Sequence, residues 1–160
     1  MSILITGGAG YIGSHTCIEL LSAGYDIVVI DNYSNSCNES LERVKKISGK
    51  EFSYYECDIR DKEGLDKIFK THDIEAVIHF AGLKAVGESC QKPLEYYDNN
   101  IGGTIALVEV MRNNGCKKMV FSSSATVYGE ENQVPFIETM KTGTTTNPYG
   151  TTKLYIENIL

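Results

Sequence analysis

Ile3-Leu4-Ile5-Thr6-Gly7-Gly8-Ala9-Gly10-Tyr11-Ile12-Gly13 decides how this chain is read. A short apolar run ends in a cluster of glycines, and a helical pattern starts at once. Gly8, Gly10 and Gly13 fit G-x-G-x-x-G, while Gly7, Gly10 and Gly13 fit the related G-x-x-G-x-x-G. In such a turn the first glycine makes the sharp bend and the second lets the backbone approach a pyrophosphate. The third lets helix pack closely on strand. The N–H groups and dipole at the start of the following helix then face the phosphates. Working outward, Ile27-Val28-Val29-Ile30-Asp31 is a second apolar run that closes on a carboxylate. Asp31 follows Gly13 by 18 residues, near the spacing of about 20 that a dinucleotide site requires. Strand, glycine turn, helix, strand and acid together predict dinucleotide binding, which the glycine pattern by itself does not.

The rest of the composition narrows the setting. The 160 residues carry a net charge of −6, with 42% hydrophobic and 22% charged residues. That suits one soluble domain that buries about 70% of its unfolded surface. With no run of Lys or Arg, neither nucleic acid nor an anionic membrane is expected as a partner. No stretch is long and apolar enough to span a bilayer. Cys17, Cys37, Cys57, Cys90 and Cys116 are odd in number and scattered, and no C-x-x-C occurs. They read as buried or idle thiols in a reducing cytoplasm rather than as disulfides or a metal site.

Five apolar runs alternate with helical patterns. Strands are predicted near 3–6, 26–31, 52–57, 76–80 and 118–122. The Val/Ile content of the second and fourth suits strands covered on both faces. Helices are predicted over 11–23, with Gly24 beyond its end, over 39–47 before Gly49, and after Asp61 as cap. A long helix is expected from about Pro93 to Asn113, with Ile101, Ile105, Val108 and Met111 facing inward. Asn147-Pro148 then reads as cap and first residue of a helix whose Tyr149, Lys153, Ile156 and Leu160 share a face. Strands alternating with helices imply right-handed crossovers and a doubly wound α/β fold with a parallel sheet of order 3-2-1-4-5. The expectation is one NAD-binding Rossmann domain over residues 1–160, cut before a sixth strand and a substrate region, so that turnover is expected of the full-length protein and not of these 160 residues by themselves.

In an open parallel sheet, ligands lie beyond the carboxyl ends of the strands. Asp31 stands at such an end, placed to accept from ribose hydroxyls and to repel a 2′-phosphate, which favours NAD over NADP. Asp58 suits either an adenine amino group or the capping of a turn. Phe80-Ala81-Gly82 follow the fourth strand, where small residues allow close approach to a flat cofactor. Lys84 suits a phosphate or plain solvent. Asn99 and Asn100 are poor helix residues, which suggests a polar task. His15 and His72 read as structural or exposed, His79 as a satisfied histidine beside the sheet, and no cluster suggests a metal. The fifth strand runs into Ser122-Ser123-Ser124. Tyr149 and Lys153, four apart, lie about 6 Å apart along a helix. A phenol with pKa near 10 is a poor base at neutral pH, but a cation beside it favours phenolate. Such a phenolate can take a proton from a sugar hydroxyl, held by serine, as hydride leaves the same carbon.

Thr6 to Gly13, the Ser122–Ser124 run and Tyr149…Lys153 resemble the extended short-chain dehydrogenase/reductases. Residues 79–89, 92–100 and 122–129 are more similar still to the members of that family that act at carbon 4 of a UDP-hexose. The resemblance spans all 160 residues. It implies a tightly held NAD, with Tyr149 as base and Ser124 and Lys153 assisting on a UDP-hexose substrate. Ser124 and Tyr149 would touch the sugar. By the same resemblance Gly7, Gly10, Tyr11, Ile12, Gly13, Asp31, Asn32, Asn35, Ser36, Asp58, Ile59, Phe80, Ala81, Gly82, Lys84, Asn99, Ser122, Tyr149 and Lys153 bind the cofactor. A homodimer is also compatible with it. Two alternatives stand beside this reading. A 4,6-dehydratase of the same family carries an acidic pair where this chain has Ala125 and Thr126. A non-catalytic NAD-binding module would not need the serine, tyrosine and lysine, all of which are present.

Overall fold

A computed structural model describes residues 1–160. The fold divides into two compact units. The first comprises Met1–Ala81 with Ile105–Ser122, and the second Gly82–Thr104 with Ser123–Leu160.

The first unit is built on five strands: β1 (Ser2–Thr6), β2 (Asp26–Asp31), β3 (Ser53–Glu56), β4 (Ile74–His79) and β5 (Lys118–Phe121). They form one sheet of order β3-β2-β1-β4-β5. All four pairings are parallel, so the predicted fold class and strand order are observed. The register aligns Thr6 with Ile30 on one side and with His79 on the other. Glycine turn and Asp31 therefore share one end of the sheet. Alternation along β1 sends Ile3 and Ile5 to one face and Leu4 to the other. On the first face they meet Cys17 and Leu21 of α1 (Tyr11–Ser22) and Leu41 and Val44 of α2 (Glu39–Ser48). On the second face Leu4, Val28 and Val77 pack with Leu65, Ile68 and Phe69 of α3 (Lys62–Thr71). Asp61 caps α3 by accepting from Gly64 N at 3.0 Å, and Gly49 ends α2 with φ +65°. Both termini follow the sequence.

The second unit departs from expectation. The long helix from Pro93 is three pieces, α5 (Pro93–Tyr96), a π-helical turn (Tyr97–Gly102) and α6 (Gly103–Asn113), and it is preceded by α4 (Val86–Gln91), which was not foreseen. The wider π turn changes the angle per residue, so a 3.6-residue period carried forward from Pro93 loses phase. In α6 the buried apolar side chains are Ala106, Leu107, Val110 and Met111, while Ile105 is 47% exposed and Ile101 and Val108 are half-buried. Of the predicted inward face only Met111 is in the core. The last helix, α7 (Pro148–Ile159), is capped by Asn147, whose Oδ1 accepts from Gly150 N at 2.8 Å. It buries Thr152, Lys153 and Ile156, whereas Leu160, beyond the helix, is 53% exposed and outside the predicted face.

Candidate functional site

In the first unit the glycine turn is forced by its surroundings. A Cβ on Gly7, whose φ is +69°, would lie 2.7 Å from Ala81 N, where the turn meets the residue after Phe80. A Cβ on Gly13 would lie 2.3 Å from Gly7 O and 2.7 Å from Gly8 Cα. Gly13 is thus the place where α1 lies on the end of β1. Around Gly10 the only near atom is Gly7 O, at 3.2 Å, so the middle of the turn is open to an approaching group. No side chain caps α1 at Gly10, which leaves its first N–H groups directed outward, as an anion requires. Tyr11 and Ile12, on that first turn, are 77% and 54% exposed.

Asp31 is 8% exposed. Its Oδ2 accepts from Ala9 N at 3.0 Å, and its Oδ1 from Tyr33 N at 3.0 Å and Ser36 Oγ at 2.8 Å. The glycine turn, Asp31 and Ser36 are therefore one hydrogen-bonded assembly, and Oδ2 keeps a free lone pair. Asn35 is exposed in the same segment. Asn32 turns instead to Asp58, with Nδ2 donating to Oδ2 at 2.9 Å. Asp58 also takes Arg60 N and Nε on Oδ1 and an Arg60 terminal nitrogen on Oδ2, each at 2.9 Å. The guanidinium holds this carboxyl well below the usual carboxylate range. With four acceptor positions filled, turn-making and ion pairing account for Asp58, and an adenine amino group would have to displace one donor. Arg60 was not singled out by any motif. Ile59 is buried in the core, so only its backbone remains for a ligand. Phe80 packs on the β1/α1 side of the sheet and Ala81 on the other, and Ser122 N donates to His79 O at 3.1 Å. His79 is buried with Nδ1 2.6 Å from Thr6 Oγ1, a satisfied core histidine. The buried thiols of Cys17 and Cys57 are pushed up to about 12 and about 11, each chiefly by burial, so they stay protonated.

The second unit gathers Gly82, Asn99, Ser124, Tyr149 and Lys153. Lys153 is 6% exposed, and burial lowers its pKa to about 8. Its Nζ lies 5.9 Å from the centre of the Tyr149 ring, which places the cation beside the phenol as the four-residue spacing predicts. A Cβ on Gly82 would lie 3.9 Å from the same Nζ and 3.3 Å from Asn100 Oδ1. Asn100, not Asn99, is the organising amide. Its Oδ1 accepts from Leu83 N at 2.8 Å, and its Nδ2 donates to Leu83 O at 2.9 Å and Thr152 Oγ1 at 3.0 Å. Asn99 is half-buried and donates to Asn100 Oδ1 at 2.9 Å. The Asn-Asn pair gave a signal of polar work, and the π turn explains how Asn100 comes to face inward. Lys84 is exposed. Next to it, Ala85 is pinned by the buried Tyr96 hydroxyl, which accepts from Ala85 N at 3.0 Å and lies 2.9 Å from Ala85 O and from Glu88 Oε2. Burial first, then Glu88, pushes the Tyr96 phenol up to about 12. No sequence pattern pointed to Tyr96. Ser124 caps the 3₁₀ turn Ala125–Tyr128, accepting from Thr126 N at 3.3 Å and Thr126 Oγ1 at 3.0 Å.

Residues 3–160 match the NAD dependent epimerase/dehydratase family. The chain belongs to this family. Among relatives of this epimerase/dehydratase chain is the UDP-glucose 4-epimerase of Bacillus subtilis, 61% identical over 160 residues, which are all of this chain and 47% of that protein. The UDP-glucose 4-epimerase of Erwinia amylovora is 57% identical over all of this chain and 48% of its own. The chain thus spans about half the length of the curated relatives it matches. Among solved structures, a UDP-glucose 4-epimerase from Bifidobacterium longum in complex with NAD+ and UDP superposes with a TM-score of 0.97. It is 53% identical, over 99% of this chain and 48% of that one. No helix of the family member described here is long and apolar enough to cross a membrane.

Proposed function

We propose that the protein works as a UDP-glucose 4-epimerase, interconverting UDP-glucose and UDP-galactose by oxidation and re-reduction at carbon 4 of the hexose, with NAD held throughout. The observation that carries this reading is the buried Lys153 ammonium 5.9 Å from the Tyr149 ring, on a helix whose unit also holds Ser124. The relatives that support it are named for this reaction.

The first unit suits the cofactor. The open middle of the glycine turn and the uncapped start of α1 would receive a pyrophosphate, and Asp31 the ribose hydroxyls. A 2′-phosphate would meet the Asp31 carboxylate, so NAD is favoured over NADP. When bound, NAD supplies the hydride acceptor for the first half-reaction and the donor for the second. The chain's own residues move the proton. Tyr149 as phenolate takes it from the hydroxyl on carbon 4 and later returns it to the opposite face of the sugar. Lys153 sets its charge beside the Tyr149 ring, and Ser124 holds the reacting oxygen. Ala125 and Thr126 offer no carboxylate for the second elimination of a 4,6-dehydratase. A reducing cytoplasm fits five free cysteines, three of them buried. A homodimer belongs to the same proposal on the resemblance alone.

The test is to incubate the purified full-length protein with NAD and UDP-galactose deuterated at carbon 4. The expected product is UDP-glucose with the label kept at carbon 4. No conversion, or loss of label to water, overturns the reading.

A further inference from the structure

The Ser124 hydroxyl is turned by its own neighbour. Its Oγ accepts the Thr126 N–H at 3.3 Å and the Thr126 hydroxyl at 3.0 Å. A serine oxygen has two lone pairs and one hydrogen, so both acceptor positions are taken and only the O–H is left to offer. Thr126 is itself held in place. A Cβ added at Gly150 would fall 3.1 Å from Thr126 Oγ1 and 3.2 Å from its Cβ, so the side chain rests against the residue that follows Tyr149. One threonine thus touches Ser124 on one side and the first turn of α7 on the other.

We infer that Thr126 is a positioning residue that makes Ser124 a hydrogen-bond donor only, aimed at the reacting oxygen of the hexose, and leaves Tyr149 as the one acceptor of the departing proton. This rests on the epimerase reading above. In the oxidising half-reaction NAD, when bound, would accept the hydrogen on carbon 4 with its electron pair. The hydroxyl proton passes to the Tyr149 phenolate, and the carbon–oxygen bond becomes a carbonyl. Ser124 neither gains nor loses a proton. Its O–H stabilises negative charge as it develops on the oxygen, an interaction stronger in the transition state than with the neutral hydroxyl. A serine free to rotate would also sample the opposite arrangement, accepting the substrate proton and drawing it away from Tyr149. Thr126 removes that option by filling both lone pairs.

The variants Thr126→Val and Thr126→Ser separate hydroxyl from shape, since valine keeps the branched volume and serine keeps the donor. Each is also combined with Ser124→Ala. We expect Thr126→Val to lower kcat by ~10-fold, the smaller end of what positioning a catalytic group supplies. KM for UDP-galactose and calorimetric NAD affinity stay within about twofold, because neither is set by the rotation of one hydroxyl. Thr126→Ser restores kcat, and Thr126→Val adds nothing to Ser124→Ala, since the two act through one bond. A Thr126→Val protein as fast as the unaltered one overturns the inference. So does a Thr126→Ser protein as slow as the valine form, or additive losses in the double variant. These results differ from failure of the epimerase reading, in which the unaltered protein converts no UDP-galactose at all.

Discussion

The glycine turn of the first unit and the tyrosine–lysine helix of the second reach their working geometry by different means. Around the turn, backbone decides. Gly13 could not carry even a methyl without meeting Gly7 O at 2.3 Å, and Asp31 is oriented by two backbone N–H groups and one serine. Around α7, side chains decide. Asn100 ties Leu83 to Thr152, Tyr96 ties Ala85 to Glu88, and Thr126 turns Ser124. A backbone-built site tolerates almost no substitution. A side-chain-built site can lose a single hydroxyl and stay folded. The difference predicts that substitutions in the second unit separate chemistry from binding, whereas those in the turn do not.

The largest effect is expected at Tyr149. Tyr149→Phe removes only the phenolic oxygen of a half-buried ring, so folding and NAD affinity should be preserved. The rate of sugar oxidation should fall by ~10²-fold or more, the scale of a lost general base. Stopped-flow absorbance of the reduced cofactor, with calorimetry for NAD, checks both halves. Turnover near normal would move the base elsewhere. Gly13→Ala should show the opposite pattern, because its methyl meets backbone on two sides and nothing there can yield cheaply. Overpacking of this kind costs about 1–3 kcal/mol or more, read as a lower melting temperature, and NAD affinity should fall with it. A Gly13→Ala protein that melts normally but fails to bind NAD would break the comparison.

How much of this was legible in the sequence follows the same division. The first unit was readable almost to the residue, because strand period, glycine spacing and the acid at the end of β2 are local patterns. Sheet order followed from the handedness of crossovers. In the second unit the types of the key residues were visible at Ser124, Tyr149 and Lys153, but their supports were not. The π turn at Tyr97–Gly102 has no signature beyond poor helix residues, and it put Ile105 on the surface. Tyr96 and Asn100 act across gaps of 11 and up to 52 residues, beyond any periodicity, and only the Asn-Asn pair hinted at the second of them. Arg60 escaped notice for a different reason: an exposed arginine two residues from an aspartate looks like ordinary surface.

Lys153 carries a cost that the glycine turn does not. Burial brings its pKa from 10.5 to about 8, so below pH 8 the fold holds a charge it would rather release. The sign follows from proton counting. Between about pH 8 and 10.5 the unfolded chain binds the proton and the folded one does not, so stability rises with pH across that window. Lys153→Met should therefore stabilise the cofactor-free protein at pH 7 by up to about 3 kcal/mol, even as it abolishes rapid hydride transfer. The gain should shrink as pH rises from 8 towards 10.5, measured by denaturant unfolding at several pH values. A Lys153→Met protein less stable than the parent at pH 7 would show that the ammonium earns its place structurally as well.

The smallest effect is expected at Arg60, which is 45% exposed. Arg60→Ala takes two of the four donors from Asp58 but leaves the backbone N–H of residue 60 and the Asn32 amide in place. Half-exposed ion pairs are worth about 0–1 kcal/mol, so unfolding free energy at pH 7 should drop by no more than that. The sign with pH is the reverse of the lysine case. A carboxyl held below its ordinary value stabilises the fold above pH 4 and loses that contribution as pH falls, so the two proteins should converge in acid. NAD affinity is the sharper reading. Were Asp58 the adenine acceptor, freeing its oxygens should tighten NAD binding. Were it only a turn-maker, affinity should stay within about threefold, which is under 1 kcal/mol. The filled carboxylate favours the second result, and calorimetry of NAD binding to both proteins at two salt concentrations distinguishes them.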